Sequence, residues 1–270
     1  MMTGKAAADK ERWNVKRKTK LTAVSIFHYY RLVSRSVMFL ILLVEYIIYR
    51  CNNGSAILDT LEQTPWIITV ICALFTIEMI LRFFPSRLES PGCQKQFARN
   101  YIKSGQTEIA IQDNNGTLLV LLIWIGFNAL IGAVYMAGLI DDGIMLLISC
   151  AYSVCDMICI LFFCPFQTWL LKNKCCSTCR IYNWDYAMMF TPLFFVQKPY
   201  TWGLLALSIA LLIRWEVTFY LHPERFSEQT NDYLRCQNCT EKLCTHKKQL
   251  KTLWEHIAEY TTEKKKMLMK

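Results

Sequence analysis

The sequence predicts an all-α integral membrane protein with about six transmembrane helices. Its residues are 54% hydrophobic, yet the chain also carries 30 lysines and arginines. The apolar and the charged residues are separated into long runs, which is typical of polytopic membrane proteins. The positive charge, moreover, falls in alternate connections between the apolar runs. These three observations predict the fold class.

The first 35 residues are predicted to be a basic cytosolic arm. They carry nine lysines and arginines, and they lack the apolar stretch and cleavage site of a secretory signal peptide. Residues 21–33, LTAVSIFHYYRLV, combine aromatic, aliphatic and basic side chains. This composition suits a helix that lies at the inner membrane interface.

Residues 36–221 are predicted to form a transmembrane bundle. A helix needs about 20 mostly apolar residues to cross about 30 Å of hydrocarbon. Five long runs stand out, the first around an apolar core at 36–49, and a shorter sixth run contains Asp185 and Pro192. The predicted crossings, in chain order, are 36–49, 66–84, 117–140, 144–171, 181–197 and 203–221.

The distribution of lysine and arginine predicts the orientation, because positively charged loops stay in the cytosol. The arm at 1–35 has nine such residues and the tail at 222–270 has ten. The connections at 82–116 and 172–180 are also basic, whereas 51–64 has no positive charge. Six crossings therefore place both termini in the cytosol of a multi-pass cell-membrane protein, in contact with the anionic lipids of the inner leaflet.

Two cysteine groups flank the last predicted pair of crossings, and each contains a C-x2-C pair. Two crossings return the chain to the side it left, so both pairs face the cytosol, where thiols remain reduced. Tetrahedral zinc takes four thiolate or imidazole ligands, and each pair supplies two. We expect one zinc site that clamps the last two crossings. Its candidate ligands are Cys176, Cys179, Cys236, Cys239, Cys244 and His246.

Other arrangements of the cysteines remain open. Four cysteines in two pairs also suit an iron–sulfur cluster, which is the alternative cofactor. If the tail ligands bind zinc alone, Cys176 and Cys179 become a dithiol suited to redox chemistry. The fourth run contains Cys150, Cys155, Cys159 and Cys164. We expect these four to be scattered around the helix as small hydrophobic side chains.

Ionisable residues within the apolar runs indicate a polar layer. Such residues are costly in a bilayer and commonly mark functional positions. Glu78, Asp156 and Arg214 each lie about 17 Å below the outer boundary of their runs, at about 1.5 Å per helical residue. Arg214 is expected to pair with one of these acids, although Arg82 is a nearby partner for Glu78. The predicted intramembrane polar site comprises Glu78, Asn128, Asp156, Arg214 and Glu216.

The sequence lacks the phosphate-binding glycine loop, the G-x-S-x-G motif and the H-E-x-x-H motif. Its positive charge is accounted for by topology, so a nucleic-acid partner is not expected, whereas a partner subunit or a second copy remains open. The combined pattern predicts a small transporter, channel or membrane-assembly subunit with a zinc clamp. The alternative is a membrane redox enzyme that links a cytosolic thiol or iron–sulfur site to a quinone.

Overall fold

The protein is almost entirely helical in the computed structural model, which describes residues 23–51, 65–85, 91–105, 114–171, 178–235 and 238. These ranges contain no β-strand, and the all-α class is thereby confirmed for them. Short 3₁₀ turns connect several of the α-helices. The described α-helices are α1 (Ala23–Cys51), α2 (Pro65–Leu81), α3 (Pro91–Gln96), α4 (Asn114–Met136), α5 (Asp142–Leu161), α6 (Asp185–Phe190) and α7 (Pro199–Leu221).

Three of the described helices are long and apolar enough to cross a membrane. They are Asn115–Met136 in α4, Asp142–Leu161, which is α5, and Pro199–Leu221, which is α7. They fall within the third, fourth and sixth predicted crossings. Helix α2 contains a shorter apolar helix, Ile68–Leu81, and α1 extends over 29 residues that include the whole first run. The total of six crossings and the side of the termini stay predictions.

The outer surface of the bundle is apolar on several helices. Leu40 of α1, Leu74 of α2, Leu122 of α4 and Ile213 of α7 are each more than half exposed. A soluble monomer rarely exposes large apolar side chains in such numbers, whereas lipid-facing helices do so as a rule. These side chains are therefore compatible with contact to lipid.

The expected fifth crossing, 181–197, differs from one continuous membrane helix. It consists of a 3₁₀ turn at Arg180–Trp184, then α6, then a second 3₁₀ turn at Thr191–Phe194. The α-helix stops before Pro192, since proline lacks an N–H and disfavours helical geometry in the residue before it. We call residues 180–196 the central segment. It lies inside the bundle, where Tyr186 and Leu193 are fully buried.

The fourth apolar run also breaks earlier than expected. Helix α5 ends at Leu161, ten residues before the end of the predicted crossing at 144–171. The chain then passes Pro165 and forms a single π-type turn at Phe166–Leu170. Proline again interrupts the helical hydrogen-bond ladder, and the interruption leaves room beside the central segment.

The core joins α2, α7 and the central segment. Phe75 of α2 packs edge-to-face on Phe190, with ring centroids 5.3 Å apart. Met79, Leu211 and Trp215 belong to the same buried cluster. Burying aromatic rings contributes much of the stability of such a core, so the central segment is the element around which the neighbouring helices pack.

Helices α1 and α5 run side by side in opposite directions. Near the start of α1, Arg35 contacts Asp156 in the last turns of α5. Towards the end of α1, the hydroxyl of Tyr46 donates to Asp141, which caps the start of α5, at 3.1 Å. The N-terminal end of α1 therefore lies at the same end of the bundle as the C-terminal end of α5.

The segments that follow α2 and α7 pack together as a cap at this end of the bundle. We define the cap as residues 91–105 and 223–235. Asn231 is completely buried within it and donates to the carbonyls of Lys95 at 3.0 Å and Arg225 at 2.9 Å. Its Oδ1 accepts the backbone N–H of Tyr233 at 3.1 Å. One asparagine side chain thus connects both segments.

Gly132 of α4 provides a test of the packing between α4 and the central segment. A methyl group at this position would overlap the ring of Phe195. That ring also packs against Tyr135, with centroids 6.2 Å apart, so it has little room to turn away. We expect Gly132→Ala to lower the free energy of unfolding by about 1–3 kcal/mol, the usual cost of overpacking. Thermal melting of the detergent-solubilised protein measures the change.

The matched control is Gly126→Ala on the same helix. A methyl group there meets nothing within 4 Å. Alanine also favours helix over glycine by up to about 1 kcal/mol, so this variant should melt at or slightly above the wild-type temperature. Equal destabilisation of the two variants would contradict the close approach at Gly132.

Candidate functional site

Three arginines and three carboxylates meet inside the bundle at the end that carries the cap. Their formal charges cancel, and they come from α1, from α2 and the residue that follows it, from α5 and from α6. We call this group the ion-pair network. Its members are Arg31, Arg35, Glu78, Arg82, Asp156 and Asp185.

Arg35 is the centre of the ion-pair network and is only 4% exposed. Its Nη2 donates to Glu78 Oε2 at 2.7 Å, and its Nη1 donates to Asp156 Oδ2 at 3.3 Å. The same Nη1 donates to the carbonyl of Ser153 at 3.1 Å. The planar guanidinium presents several donors in fixed directions. One side chain of α1 therefore holds α2 and α5 at the same time.

Glu78 receives two further polar contacts. Arg31 Nε lies 3.1 Å from Oε1, and the hydroxyl of Tyr186 donates to Oε2 at 2.8 Å. Arg31 and Arg35 are four residues apart and so lie on one face of α1. Through these contacts a single carboxylate of α2 joins two turns of α1 to the central segment.

Arg82 and Asp185 form the second part of the ion-pair network. Both guanidinium nitrogens, Nη1 and Nη2, lie 2.6 Å from the two carboxylate oxygens. Arg82 is 1% exposed, and its guanidinium lies 4.6 Å from the ring centroid of Tyr186. A bidentate pair of this kind fixes both distance and orientation. It ties the end of α2 to the first residue of α6.

Arg214 differs from its predicted role as the partner of Glu78 or Asp156. Its Nη1 donates to the carbonyl of Phe83, just beyond the end of α2. Its guanidinium also lies 5.1 Å from the ring centroid of Phe83. Arg214 thus satisfies a backbone carbonyl beyond the C-terminal end of a helix, where a cation is favourable. Arg35, and not Arg214, is the partner of Glu78 and Asp156.

Glu216 and Asn128 also lie outside the ion-pair network. Glu216 accepts hydrogen bonds from Arg180 at 2.7 Å and from Trp184 Nε1 at 2.6 Å. The buried amide of Asn128 donates to the carbonyl of Trp124 at 3.0 Å. Of the five predicted polar-site residues, Glu78 and Asp156 are the pair brought together, through Arg35. Whether the five act as a functional site stays a prediction.

The role of Arg31 and Arg35 was missed because they precede the first long apolar run. Both were expected in the cytosolic arm at 1–35, and Arg31 in the interfacial stretch at 21–33. Instead, α1 continues without a break from Ala23 to Cys51. The signal that could have found them is their i, i+4 spacing in an amphipathic stretch, which puts two charges on one helix face.

A cavity of about 280 Å³ lies beside the ion-pair network, between α4, α5 and the central segment. We call it the thiol cavity. Asp156 and Asp185 contribute to its wall, so it shares two carboxylates with the network. Trp124, Phe166 and Tyr182 provide aromatic surface. The cysteines in its wall are Cys155, Cys159, Cys164 and Cys179.

Cys179 is the described member of the predicted zinc ligands. It is 3% exposed and packs among Val120, Ile181 and Trp184, in the wall of the thiol cavity. Within the described ranges, no group of three or more His, Cys, Asp and Glu side chains is arranged to hold a metal ion. The other predicted ligands lie outside the described residues, so zinc and the iron–sulfur alternative stay predictions. Those ligands are Cys176, Cys236, Cys239, Cys244 and His246.

The buried pair of Arg82 and Asp185 can be tested by a double-mutant cycle. Arg82→Leu leaves an unpaired buried carboxylate, so we expect a loss of about 3–5 kcal/mol in the free energy of unfolding. Adding Asp185→Asn removes that charge and should restore part of the loss. Arg50→Leu is the control, because Arg50 is exposed in the last turn of α1 and should change stability by less than about 1 kcal/mol.

Denaturant unfolding in detergent measures all four proteins of this cycle and the control. Additive effects of Arg82→Leu and Asp185→Asn would mean that the two side chains do not stabilise each other.

Sequence and structure comparisons supply no relative from which a function could be transferred. The chain matches no protein-family model, no curated protein and no solved structure. Its function is therefore inferred from the ion-pair network, the thiol cavity and the apolar helices themselves.

Proposed function

We propose that this protein is a small membrane transporter or transport subunit with six crossings and both termini in the cytosol. The observation that carries the proposal is the shared wall between the ion-pair network and the thiol cavity. Asp156 and Asp185 line the cavity and are each paired with an arginine from another part of the bundle. A solute that enters the cavity therefore meets the ion pairs that hold the helices together.

The apolar surface supports the membrane location. Large apolar side chains are exposed on α1, α2, α4 and α7, including Ile47, Ile77, Leu130 and Val217. Six charged side chains are instead paired inside the bundle, in the ion-pair network, although Glu45 of α1 is exposed. Burial of charge away from an apolar exterior is what a lipid environment requires.

The distribution of charge supports the orientation. Arg82 and Arg180 lie at the end of the bundle that carries the cap, which also contains Arg99 and Arg225. At the opposite end, the acidic Asp141 and Asp142 balance the basic Arg50 and Lys198, so positive charge is not in excess there. Positive charge is enriched on the cytosolic side of membrane proteins. The capped end is therefore assigned to the cytosol, in agreement with the distribution of charge along the sequence.

The double contact of Arg35 supports a transport role. Arg35 lies closer to Glu78, at 2.7 Å, than to Asp156, at 3.3 Å, and these carboxylates belong to different helices. In the proposed cycle, a displacement of α1 would weaken one of these simultaneous contacts and strengthen the other. Two arrangements of similar energy are what a conformational cycle needs, provided that a ligand favours one of them.

The zinc clamp remains part of this proposal. Its predicted ligands flank residues at the capped end, where Arg180 pairs with Glu216 near the end of α7. A metal that joined 176–179 to 236–246 would hold the last two predicted crossings together. It would stabilise the fold because it links two segments that are far apart in the sequence.

Labelling in intact cells tests the orientation. Cys51 is exposed at the end of α1 that is assigned to the outside. A membrane-impermeant maleimide should therefore modify Cys51 in intact cells, as read by peptide mass spectrometry. The matched position is Ala98, which is exposed in the cap. Ala98→Cys should react only after the membrane is permeabilised. Reaction of both positions in intact cells would refute the proposed topology.

Elemental analysis tests the clamp. Protein purified without chelator or affinity metal should contain about one zinc per chain, held by four ligands. Cys236→Ser should lose this zinc. Cys93→Ser is the control, since Cys93 is buried in the cap and is not among the predicted ligands. If the wild-type protein contained no zinc, or if Cys236→Ser kept its zinc, the proposal that Cys236 belongs to a zinc clamp would be refuted.

A further inference from the structure

Cys159 and Cys164 are brought into contact by the break at the end of α5. Both thiols line the thiol cavity, and the Cys159 thiol lies close enough to Cys164 to interact with it. The Cys164 sulfur also accepts the backbone N–H of Gln167, with a nitrogen–sulfur distance of 3.5 Å. Because α5 ends at Leu161, the chain turns and carries Cys164 back onto the last helical turn. The arrangement differs from the scattered cysteines that were expected.

The two sulfurs lie in the wall of the thiol cavity, which has the character of a site for a flat apolar molecule. Its volume of about 280 Å³ is at the lower end of the about 300–1,000 Å³ typical of ligand pockets. This space fits one substituted ring rather than a whole lipid. Trp124 and Phe166 offer flat apolar surface, and Tyr182 adds a ring with a hydroxyl.

Cys155 connects the wall of the cavity with an exposed part of α5. This residue lines the cavity and is also exposed, and Ile158, one turn further along the same face of α5, is 40% exposed. Both lie on a helix that is long and apolar enough to cross a membrane. The side of α5 at Cys155 is therefore where we place the entry of a ligand dissolved in lipid.

We propose that Cys159 and Cys164 are a redox-active dithiol that is oxidised by a lipid-soluble quinone bound in the thiol cavity. In the reaction two S–H bonds break and one S–S bond forms. The two electrons and the two thiol protons pass to the quinone oxygens, which become the hydroxyls of the quinol. The inference rests on the proposed membrane location, since the quinone enters from lipid, and it is independent of transport.

The surroundings favour a dithiol over a metal centre. Among the residues that the structure describes, the cavity cysteines are thiols, and no cluster of three or more potential ligands is arranged for a metal. Two thiols in contact are sufficient for a disulfide, which forms and breaks by two-electron chemistry. The apolar walls would hold the headgroup and exclude water, and the reactive group would be the quinone itself.

The test uses the full chain, reduced and freed of reductant without oxygen, in lipid nanodiscs. The probe is a fully substituted benzoquinone with a short isoprenoid tail, which cannot add to thiols. We expect one quinol to form for each pair of thiols lost, with peptide mapping that links Cys159 to Cys164. If Cys159 and Cys164 remained reduced after incubation with the quinone, or if the disulfide joined other cysteines, the proposal would be overturned.

Four variants locate the reaction. Cys159→Ser and Cys164→Ser should each reduce quinol formation to the background rate. Cys72→Ser and Cys150→Ser are the controls, because these cysteines also lie in apolar helices but not in the cavity wall. They should react as the wild type does. Melting temperatures of all four variants exclude unfolding as the cause, and activity that persists in Cys159→Ser would refute the assignment.

A variant in the cavity wall distinguishes an effect on quinone binding from an effect on the reactivity of the thiols. Cys155→Phe keeps both thiols of the pair and fills part of the cavity beside them, so it should slow oxidation by the quinone more than oxidation by diamide, a small water-soluble oxidant. Equal slowing of both oxidants would contradict quinone binding in the cavity. If the wild-type protein contained stoichiometric metal that Cys159→Ser lost, the dithiol proposal would be wrong and the site would be a metal site. The maleimide labelling of Cys51 tests membrane topology separately.

Discussion

The arrangement of this bundle depends on the neutralisation of one buried cation, Arg35. A guanidinium with almost no exposure to solvent is tolerated only beside carboxylates, because an unpaired charge costs several kcal/mol in a low-dielectric interior. Glu78 and Asp156 supply that neutralisation from two different helices. The requirement sets how α1, α2 and α5 face one another, and the pair of Arg82 and Asp185 extends it to α6.

The second constraint is the buried central segment, which is too irregular to form one long helix. Proline at 165 and at 192 interrupts regular hydrogen bonding on either side of it. The 3₁₀ and π-type turns that result bring the backbone past the ion-pair network and back along α5. The thiol cavity lies in the space that the continuation of α5 to residue 171 was expected to fill.

The ion-pair network and the thiol cavity therefore lie next to each other in the bundle. Asp156 belongs to the ion-pair network and its neighbour Cys155 lines the cavity, so one turn of α5 contributes to both. A ligand in the cavity would lie beside Cys159 and Cys164 and beside Asp156 and Asp185, which pair with Arg35 and Arg82. Occupancy or oxidation at this place can thus bias how tightly α1 is bound to the rest of the bundle, because a ligand shifts an equilibrium by its differential contacts with the two states.

The sequence by itself determined the helical class, the positions of α2, α4 and α7, and the shared depth of Glu78 and Asp156, since hydropathy and rise per residue depend only on local order. Tertiary structure decided that Arg35 is their partner and that Arg214 binds beyond the end of α2. It also decided that Cys159 meets Cys164. These outcomes depend on which helices are neighbours, how each is rotated and where proline ends it. Hydrophobic runs alone encode none of these, because an apolar helix has no preferred buried face until a partner charge or ring provides one.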